Sequence, residues 1–239
     1  MTDPAAVVWH DVECHGYSAD LPLWRALADA EDGPVLDVGA GTGRVALDLA
    51  AAGHHVTALD RDAALLAALR RRAAGRGLRV ETVAADAQAF VLGRAFGLIL
   101  VPMQTIQLLD DRTAFLAAAR AHLAPGGLLA VAIADELVPF EPGEGVLPDP
   151  DEAQAGGWHY ASQPVAVRML ERATRIERVR IATAPDGTRT GEADVIELAA
   201  LDARGLAHEA AAAGLRAEAP MTIDPTPEHV GSVVVMLRA

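Results

Sequence analysis

Apolar and polar positions along the chain fall into two regimes that meet near Ala134. Before it, short apolar runs alternate with stretches whose apolar residues recur at helical spacing. The runs Val35–Val38, His55–Leu59, Val80–Val83, Leu98–Val101 and Leu128–Ala134 predict strands, and Gly43–Ala52, Asp62–Ala74 and Arg112–Leu123 predict helices between them. Strands alternating with helices build βαβ units, whose strands lie parallel in one sheet covered on both faces. Upstream, Leu21–Ala30 predicts a helix packed beside this body, preceded by the polar and aromatic stretch Trp9–Tyr17.

Beyond Ala134 the pattern changes. Residues 135–157 are rich in Pro, Gly and acid and predict a loop, which at such length inside a compact domain is usually functional or mobile. Three β-like runs follow, Trp158–Leu170, Thr174–Thr183 and Glu192–Leu198; Pro185-Asp186-Gly187 between the last two favours an antiparallel hairpin. A helix over Ala203–Ala213, capped by Gly214, and strands Leu215–Met221 and Ser232–Leu237 close the chain. The 239 residues thus form one domain in four parts: an N-terminal helical cap (1–33), an α/β body (34–134), a loop and antiparallel β cover (135–199), and a closing helix and strand pair (200–239).

Composition narrows the partners. Thirty-three carboxylates against twenty basic side chains, all arginines, give a formal charge of −13. That sign is wrong for gripping phosphate backbones, so nucleic acid is not an expected partner. A single cysteine, Cys14, excludes an intramolecular disulfide and points to a reducing compartment. With His15 it offers two ligands, too few for a metal site. No stretch reaches the roughly 18 apolar residues of a spanning helix, and no basic region precedes an apolar run at the amino terminus. The expectation is a soluble cytoplasmic protein without membrane contact.

The first strand runs into Asp37-Val38-Gly39-Ala40-Gly41-Thr42-Gly43 and then a helix. Glycines there let the backbone turn tightly and approach a ligand, and free N–H groups at the helix start favour polar or negative ligand groups. A dinucleotide fingerprint would read G-x-G-x-x-G. Here Arg44 takes the sixth position and glycines stand at every second residue, which argues against a nicotinamide cofactor. The second strand ends in Asp60, whose carboxylate can accept hydrogen bonds from both hydroxyls of a ribose. Asp86 follows the third strand, either in the ligand crevice or as a helix cap. Three acids at three successive strand ends suggest a nucleoside ligand.

Through VLDVGAGTGRVALDLAAAGHHVTALD, AADAQAF, FGLILVPMQTIQLL and LAPGGLLAV, the sequence resembles the class I S-adenosylmethionine-dependent methyltransferases. Within them it looks most like bacterial small-molecule enzymes of the amino-sugar and glycine N-methyltransferase kind. The resemblance implies a Rossmann-like, doubly wound α/β sheet of seven strands with the last antiparallel, and an antiparallel β cover inserted after the fifth. It also implies S-adenosylmethionine across the carboxyl ends of the first four strands, with S-adenosylhomocysteine as product. Carried over by position, Asp37 and the backbone of Gly39, Ala40, Gly41 and Gly43 would hold the methionine part. Asp60, with Arg61 beside it, would take the ribose, Asp86 the adenine amino group and the Ala87 N–H a ring nitrogen; Val101 would close the pocket, and Tyr17 is a further cofactor contact. Glycine N-methyltransferases typically carry asparagine at the position of Gln104, so the acceptor here need not be theirs. Many relatives with such a cover are homodimers, which nothing in this sequence decides.

Methyl transfer from a sulfonium is an in-line displacement from an activated donor, so alignment of acceptor and methyl supplies most of the catalysis. A base matters only where the acceptor must lose a proton to attack, as a hydroxyl does. Gln104, Tyr17 and His15 are the candidates for catalytic contacts, and Gln104, Tyr160 and Arg168 for contacts to the acceptor. That acceptor is expected to be a small molecule of specialised metabolism, methylated at nitrogen or oxygen. Plainer roles compete: Tyr17 as a wedge between helix and sheet, His15 as a surface residue, and Arg168, Arg172, Arg175, Arg178 and Arg180 as the solvated face of a sheet. The lack of an obvious base also motivates a second reading, a protein that binds S-adenosylmethionine without consuming its methyl.

Overall fold

The computed structural model describes residues 4–134, 136–143, 145, 147–226 and 229–239. The amino-terminal part comprises α1 (Pro4–His10), a wider π-type turn (Asp11–His15) and α2 (Leu21–Ala30). Then come β1 (Val35–Val38), α3 (Arg44–Ala51), β2 (Val56–Asp60), α4 (Ala63–Gly75), β3 (Val80–Ala84), β4 (Phe96–Val101), α5 (Arg112–His122) and β5 (Leu123–Ile133). The chain next forms β6 (Asp151–Ala155), β7 (Trp158–Met169), β8 (Ala173–Thr183) and β9 (Arg189–Ala199), and ends with α6 (Ala203–Ala212), β10 (Arg216–Ala217), β11 (Met221–Ile223) and β12 (Ser232–Arg238).

The main sheet has the order β10-β12-β5-β4-β1-β2-β3, with β11 also paired to β12. Strands β1 to β5 are parallel, and β12 runs antiparallel beside β5. This is the expected doubly wound sheet with its last strand reversed. The expected strand Leu215–Met221 is broken into β10 and β11, which lie end to end along β12. Pro220 explains the break, since it has no N–H to give the ladder.

Alternate residues of β1 serve opposite cores. Val35 packs toward α2, α3 and α4 with Trp24, Leu49 and Leu69, while Leu36 and Val38 pack toward α5 and α6 with Phe115 and Leu206. Both β1 and β4 are buried along their whole length. The order of connection reverses between them, because β1 leads outward to β2 and β3 while β4 leads the other way. Such a switch point opens a crevice at the carboxyl ends of parallel strands.

The cover is an antiparallel sheet in the order β6-β7-β8-β9. The segment expected as a loop over 135–157 contains β6, so the cover has four strands where three were expected; Asp135, Glu144 and Val146 of that segment lie outside the described residues. Asp151–Ala155 has little intrinsic strand preference. Its pairing to β7 is imposed by the Gly156-Gly157 turn, both residues at positive φ (59° and 82°), a two-residue hairpin that twists as sheets do.

One buried ion pair holds the amino-terminal part to the body. Asp20, 1% exposed, accepts from the Trp24 indole N–H at 2.8 Å and pairs with Arg44 (Nη2 to Oδ2, 2.8 Å) in the first turn of α3. Arg44 also donates to the Tyr17 carbonyl at 3.0 Å. Asp20→Ala strands that guanidinium in the interior, and urea unfolding should show a loss of about 3–5 kcal/mol.

Candidate functional site

A cavity of about 400 Å³ lies above the switch point. Its floor is the glycine turn and the carboxyl ends of β1, β2 and β3, where Asp37, Asp60 and Asp86 stand. A larger open groove of about 470 Å³ lies at the other end of the strands, lined by His55, Arg70 and Arg79. It is away from the carboxyl ends, where open parallel sheets bind their ligands.

The glycine turn is shaped by what presses on it. Gly39 has φ 73° and Gly41 φ 54°. A Cβ on Gly39 would sit 2.5 Å from the Thr105 methyl, and one on Gly41 would sit 2.1 Å from Nε2 of His10. Any other residue at either place would therefore strain the backbone and displace a neighbour. Ala40 follows Gly39 on the cavity wall, and Gly43 starts α3. The Asp60 carboxylate binds the turn from below: Oδ2 accepts from the Gly41 N–H and Oδ1 from the Asp62 N–H, each at 2.8 Å. Each oxygen keeps a lone pair for another donor.

Asp37 is 1% exposed, and neither carboxylate oxygen makes a hydrogen bond of normal geometry. Burial pushes its pKa up to about 7, with the Arg44 charge and the nearby Ala46 N–H opposing only in part. Asp86 differs in being exposed. It accepts from the Gln88 N–H at 2.8 Å, and that hydrogen bond holds its carboxyl below the ordinary range.

The remaining walls come from three other segments. His10, Glu13 and Cys14 enter from the amino-terminal strap, Met103, Gln104 and Thr105 from the turn after β4, and Arg178, Ile196 and Leu198 from the cover. The strap is tied at both sides. Asp11 pairs with Arg72 of α4 and accepts from the Thr42 hydroxyl at 2.8 Å, while Glu13 accepts from Arg180 (2.7 and 2.8 Å) and the Ser162 hydroxyl (2.8 Å) of the cover. Burial alone would raise the Glu13 pKa, but Arg180, Arg178 and Ser162 hold it below the usual carboxylate range. Met103, just before Gln104, has φ 56°, the only positive value among described non-glycine residues. Such strain costs about 1–3 kcal/mol and tends to mark functional turns.

Of the residues singled out from sequence, Asp37, Gly39, Ala40, Asp60, Arg61, Asp86, Ala87 and Gln104 are brought to the cavity wall. Several others are placed elsewhere. His15 is exposed outside the wall. Tyr17 is buried between the Arg44 guanidinium (5.1 Å) and the His229 ring (4.8 Å), outside the cavity lining. Val101 is fully buried in the core beneath the site. Tyr160 packs edge-on to Trp9, and Arg168 pairs with Glu141 and Glu177 on the cover. Sequence reasoning missed His10, Glu13, Thr105 and Leu198, which come from segments carrying neither a glycine motif nor a strand-end acid.

A family model for a methyltransferase domain matches residues 35–127. No curated protein sequence matches the chain. Among solved structures, CalS10 from Micromonospora echinaspora, an amino pentose methyltransferase involved in calicheamicin biosynthesis and solved with S-adenosylmethionine bound, superposes with a TM-score of 0.70 at 24% identity, over 100% of this chain and 98% of its own. The sugar N-methyltransferase KedS8 from Streptoalloteichus sp. gives 0.72 at 19% identity, over 100% and 93%. The glycopeptide N-methyltransferase MtfA, complexed with S-adenosyl-L-homocysteine, gives 0.62 at 25% identity, over 99% and 98%. Residues 35–127 are thus similar to a methyltransferase domain, and the chain as a whole takes the fold of the class I S-adenosylmethionine-dependent methyltransferases.

Proposed function

We propose that this protein transfers a methyl group from S-adenosylmethionine to a nitrogen or oxygen of a small molecule in natural-product metabolism. The observation that carries this is Asp37, a buried carboxylate without a proper hydrogen bond at the wall of a cavity built on a methyltransferase-domain glycine turn. A buried charge left unpaired costs several kcal/mol, and a cationic group placed against it removes that cost. The ammonium of the methionine part is such a group, so the donor set fits the cofactor. In this reading Asp60 and Arg61 take the ribose side, and Asp86 with the Ala87 N–H the base. The neighbours named above act on an amino pentose, a sugar nitrogen and a glycopeptide nitrogen, which favours an amine acceptor.

Bound S-adenosylmethionine supplies a methyl group on a positively charged sulfur, activated for attack. The chain holds and encloses. Gln104 follows the strained Met103 and lines the same cavity as Asp37, so its amide can orient the acceptor. Ile196 and Leu198 from the cover and His10 from the strap exclude water around it. Burial pushes the His10 pKa down, against the pull of Asp11, so its ring stays neutral at pH 7 beside the glycine turn. An amine that attacks in its neutral form loses its proton afterwards and needs no dedicated base.

Titration calorimetry should show S-adenosylhomocysteine binding, weakened roughly a hundredfold in Asp60→Ala, since charged hydrogen bonds contribute about 1.5–3 kcal/mol each. A protein that binds neither cofactor form overturns the proposal. Release of S-adenosylhomocysteine on incubation with amino sugars and S-adenosylmethionine separates transfer from mere binding.

Asp37 makes a second prediction. Its folded pKa is raised, so between about pH 4 and pH 7 the folded state binds the extra proton and stability falls as pH rises, becoming level above about 7. Asp37→Asn should therefore be more stable than wild type at pH 8 by a few kcal/mol, because each pH unit separating the folded from the unfolded pKa is worth about 1.4 kcal/mol. The gap should close toward pH 4 in urea unfolding. A bound ammonium brings the carboxyl back down, so cofactor binding near pH 7 should release protons, read as calorimetric heats that differ between buffers of different ionisation enthalpy. Equal heats would remove Asp37 from the site.

A further inference from the structure

The chain leaves the main sheet for the cover at Ala134 and comes back from it at Ala199, and both points converge on one side chain. Gln107 lies in a single 3₁₀ turn (Thr105–Leu108) after β4 and is 4% exposed. Its Nε2 donates to the Ala134 carbonyl and to the Ala199 carbonyl, each at 3.1 Å, and its Oε1 accepts from the Ala134 N–H at 2.9 Å. Both amide protons and one oxygen lone pair are therefore engaged, all at the root of the cover. Only a side-chain amide offers two donors and an acceptor in one neutral plane, and asparagine is a methylene too short for the same span.

What this root carries gives the contact its importance. Leu198, next to Ala199, lines the cavity from the cover, and Gln104 and Thr105 on the turn of Gln107 line it from the body. The Gln107 N–H donates to the Gln104 carbonyl at 2.9 Å, so the clasp and the cavity wall share one turn. The cover is held to the strap separately, through Glu13 with Arg180 and Ser162, and Glu13 also lines the cavity.

We infer that Gln107 is a positioning residue: it fixes the cover to the turn bearing Gln104 and so sets the width of the acceptor end of the site. The inference rests on the proposed function in one respect, that the acceptor lies between cover and turn.

Cys14, the single cysteine, lines the same cavity where strap meets cover, and burial pushes its pKa up to about 11. Its labelling by a maleimide therefore reports how often the cover lifts. Two variants are compared with wild type at the same pH and well below each melting temperature. Gln107→Met keeps the volume and removes all three hydrogen bonds, and its labelling should run about fivefold to tenfold faster at both pH 6 and pH 8, as expected for losing about 1 kcal/mol or more of closure. Gln107→Glu should match it near pH 8 but return to within about twofold of wild type near pH 6, because burial raises a glutamate's pKa, and as pH falls it takes up a proton and regains one donor. S-adenosylhomocysteine affinity should stay within about twofold in both, since the glycine turn is untouched. Wild-type labelling rates in Gln107→Met, or a fast rate in Gln107→Glu that does not recover at low pH, overturn the clasp. Should Gln107→Met not fold, the pH dependence of Gln107→Glu decides alone. Loss of cofactor binding in wild type would instead overturn the proposed function and leave the labelling result standing.

Discussion

The grip of the Asp60 carboxylate on two backbone N–H groups is the contact around which the site is organised. By accepting from Gly41 and Asp62 together, it fastens the glycine turn of β1 to the end of β2 and the start of α4. Charge-assisted hydrogen bonds of this kind are short and strong. With the turn fixed, Gly41 offers a flat backbone surface, and His10 can settle on it so closely that a methyl group would not fit between them. The same turn leaves Asp37 at the end of β1, fully enclosed. Local backbone chemistry thus produces both the smooth floor and the uncompensated charge.

The walls above that floor follow a different logic. They are assembled from segments remote in sequence, and each is tied by polar contacts rather than by a continuous apolar core. The cover has only a small cluster of its own, Val167, Ile176 and Leu198 with Phe140 against them. Glu13 at the strap and Gln107 at the root hold it separately. Hydrogen bonds and ion pairs of this kind open at lower cost than packed helices on a sheet, so motion is expected to concentrate in the cover and strap. The sheet that presents the strand-end acids has no such freedom, because β1 and β4 are buried throughout.

This division explains how much could be read from the sequence. Every strand from β1 to β5 and every helix from α2 to α6 was legible, because apolar periodicity records burial against a sheet. The floor of the cavity was legible too: glycine spacing and strand-end carboxylates are local signals. β6 was not, since DEAQA carries no strand pattern and its pairing is imposed by the Gly156-Gly157 turn rather than by its own side chains. The strap was seen only as a polar and aromatic stretch, for Glu13 has meaning only once Arg180 and Ser162 are beside it, well over a hundred residues away in sequence. Tyr160 and Arg168 do lie on the cover, in β7, but the alternation of side chains along a strand decides what each meets: Arg168 turns to Glu141 and Glu177, and Tyr160 packs on Trp9 of α1 and on Trp158, so neither lines the cavity. On β8 the same alternation brings Arg178 and Arg180 to Glu13 of the strap, with Arg178 also on the cavity wall.

The chain's acidity takes on a spatial meaning in this light. Arginines near the site are mostly consumed by the fold: Arg44 by Asp20, Arg72 by Asp11, and Arg180 by Glu13 and Asp194. Each pairing sets the arginine against a structural carboxylate. Asp37 and Asp86 form no ion pair with an arginine among the described residues, although the Arg44 charge acts on Asp37 and the Arg61 charge on Asp86, and Asp60 spends its bonds on backbone N–H groups. Three arginines still line the space: Arg44, paired with Asp20, Arg61 at the exposed rim, and Arg178 at 3.7 Å from Glu13. The potential at the floor is therefore set by carboxylates in a low-dielectric enclosure, where a positive ligand gains most. A neutral cavity of the same shape would hold adenosine as well as it holds a sulfonium nucleoside. Here the proposed preference for the cation traces to carboxylates at the strand ends whose neighbouring arginines are largely paired within the fold.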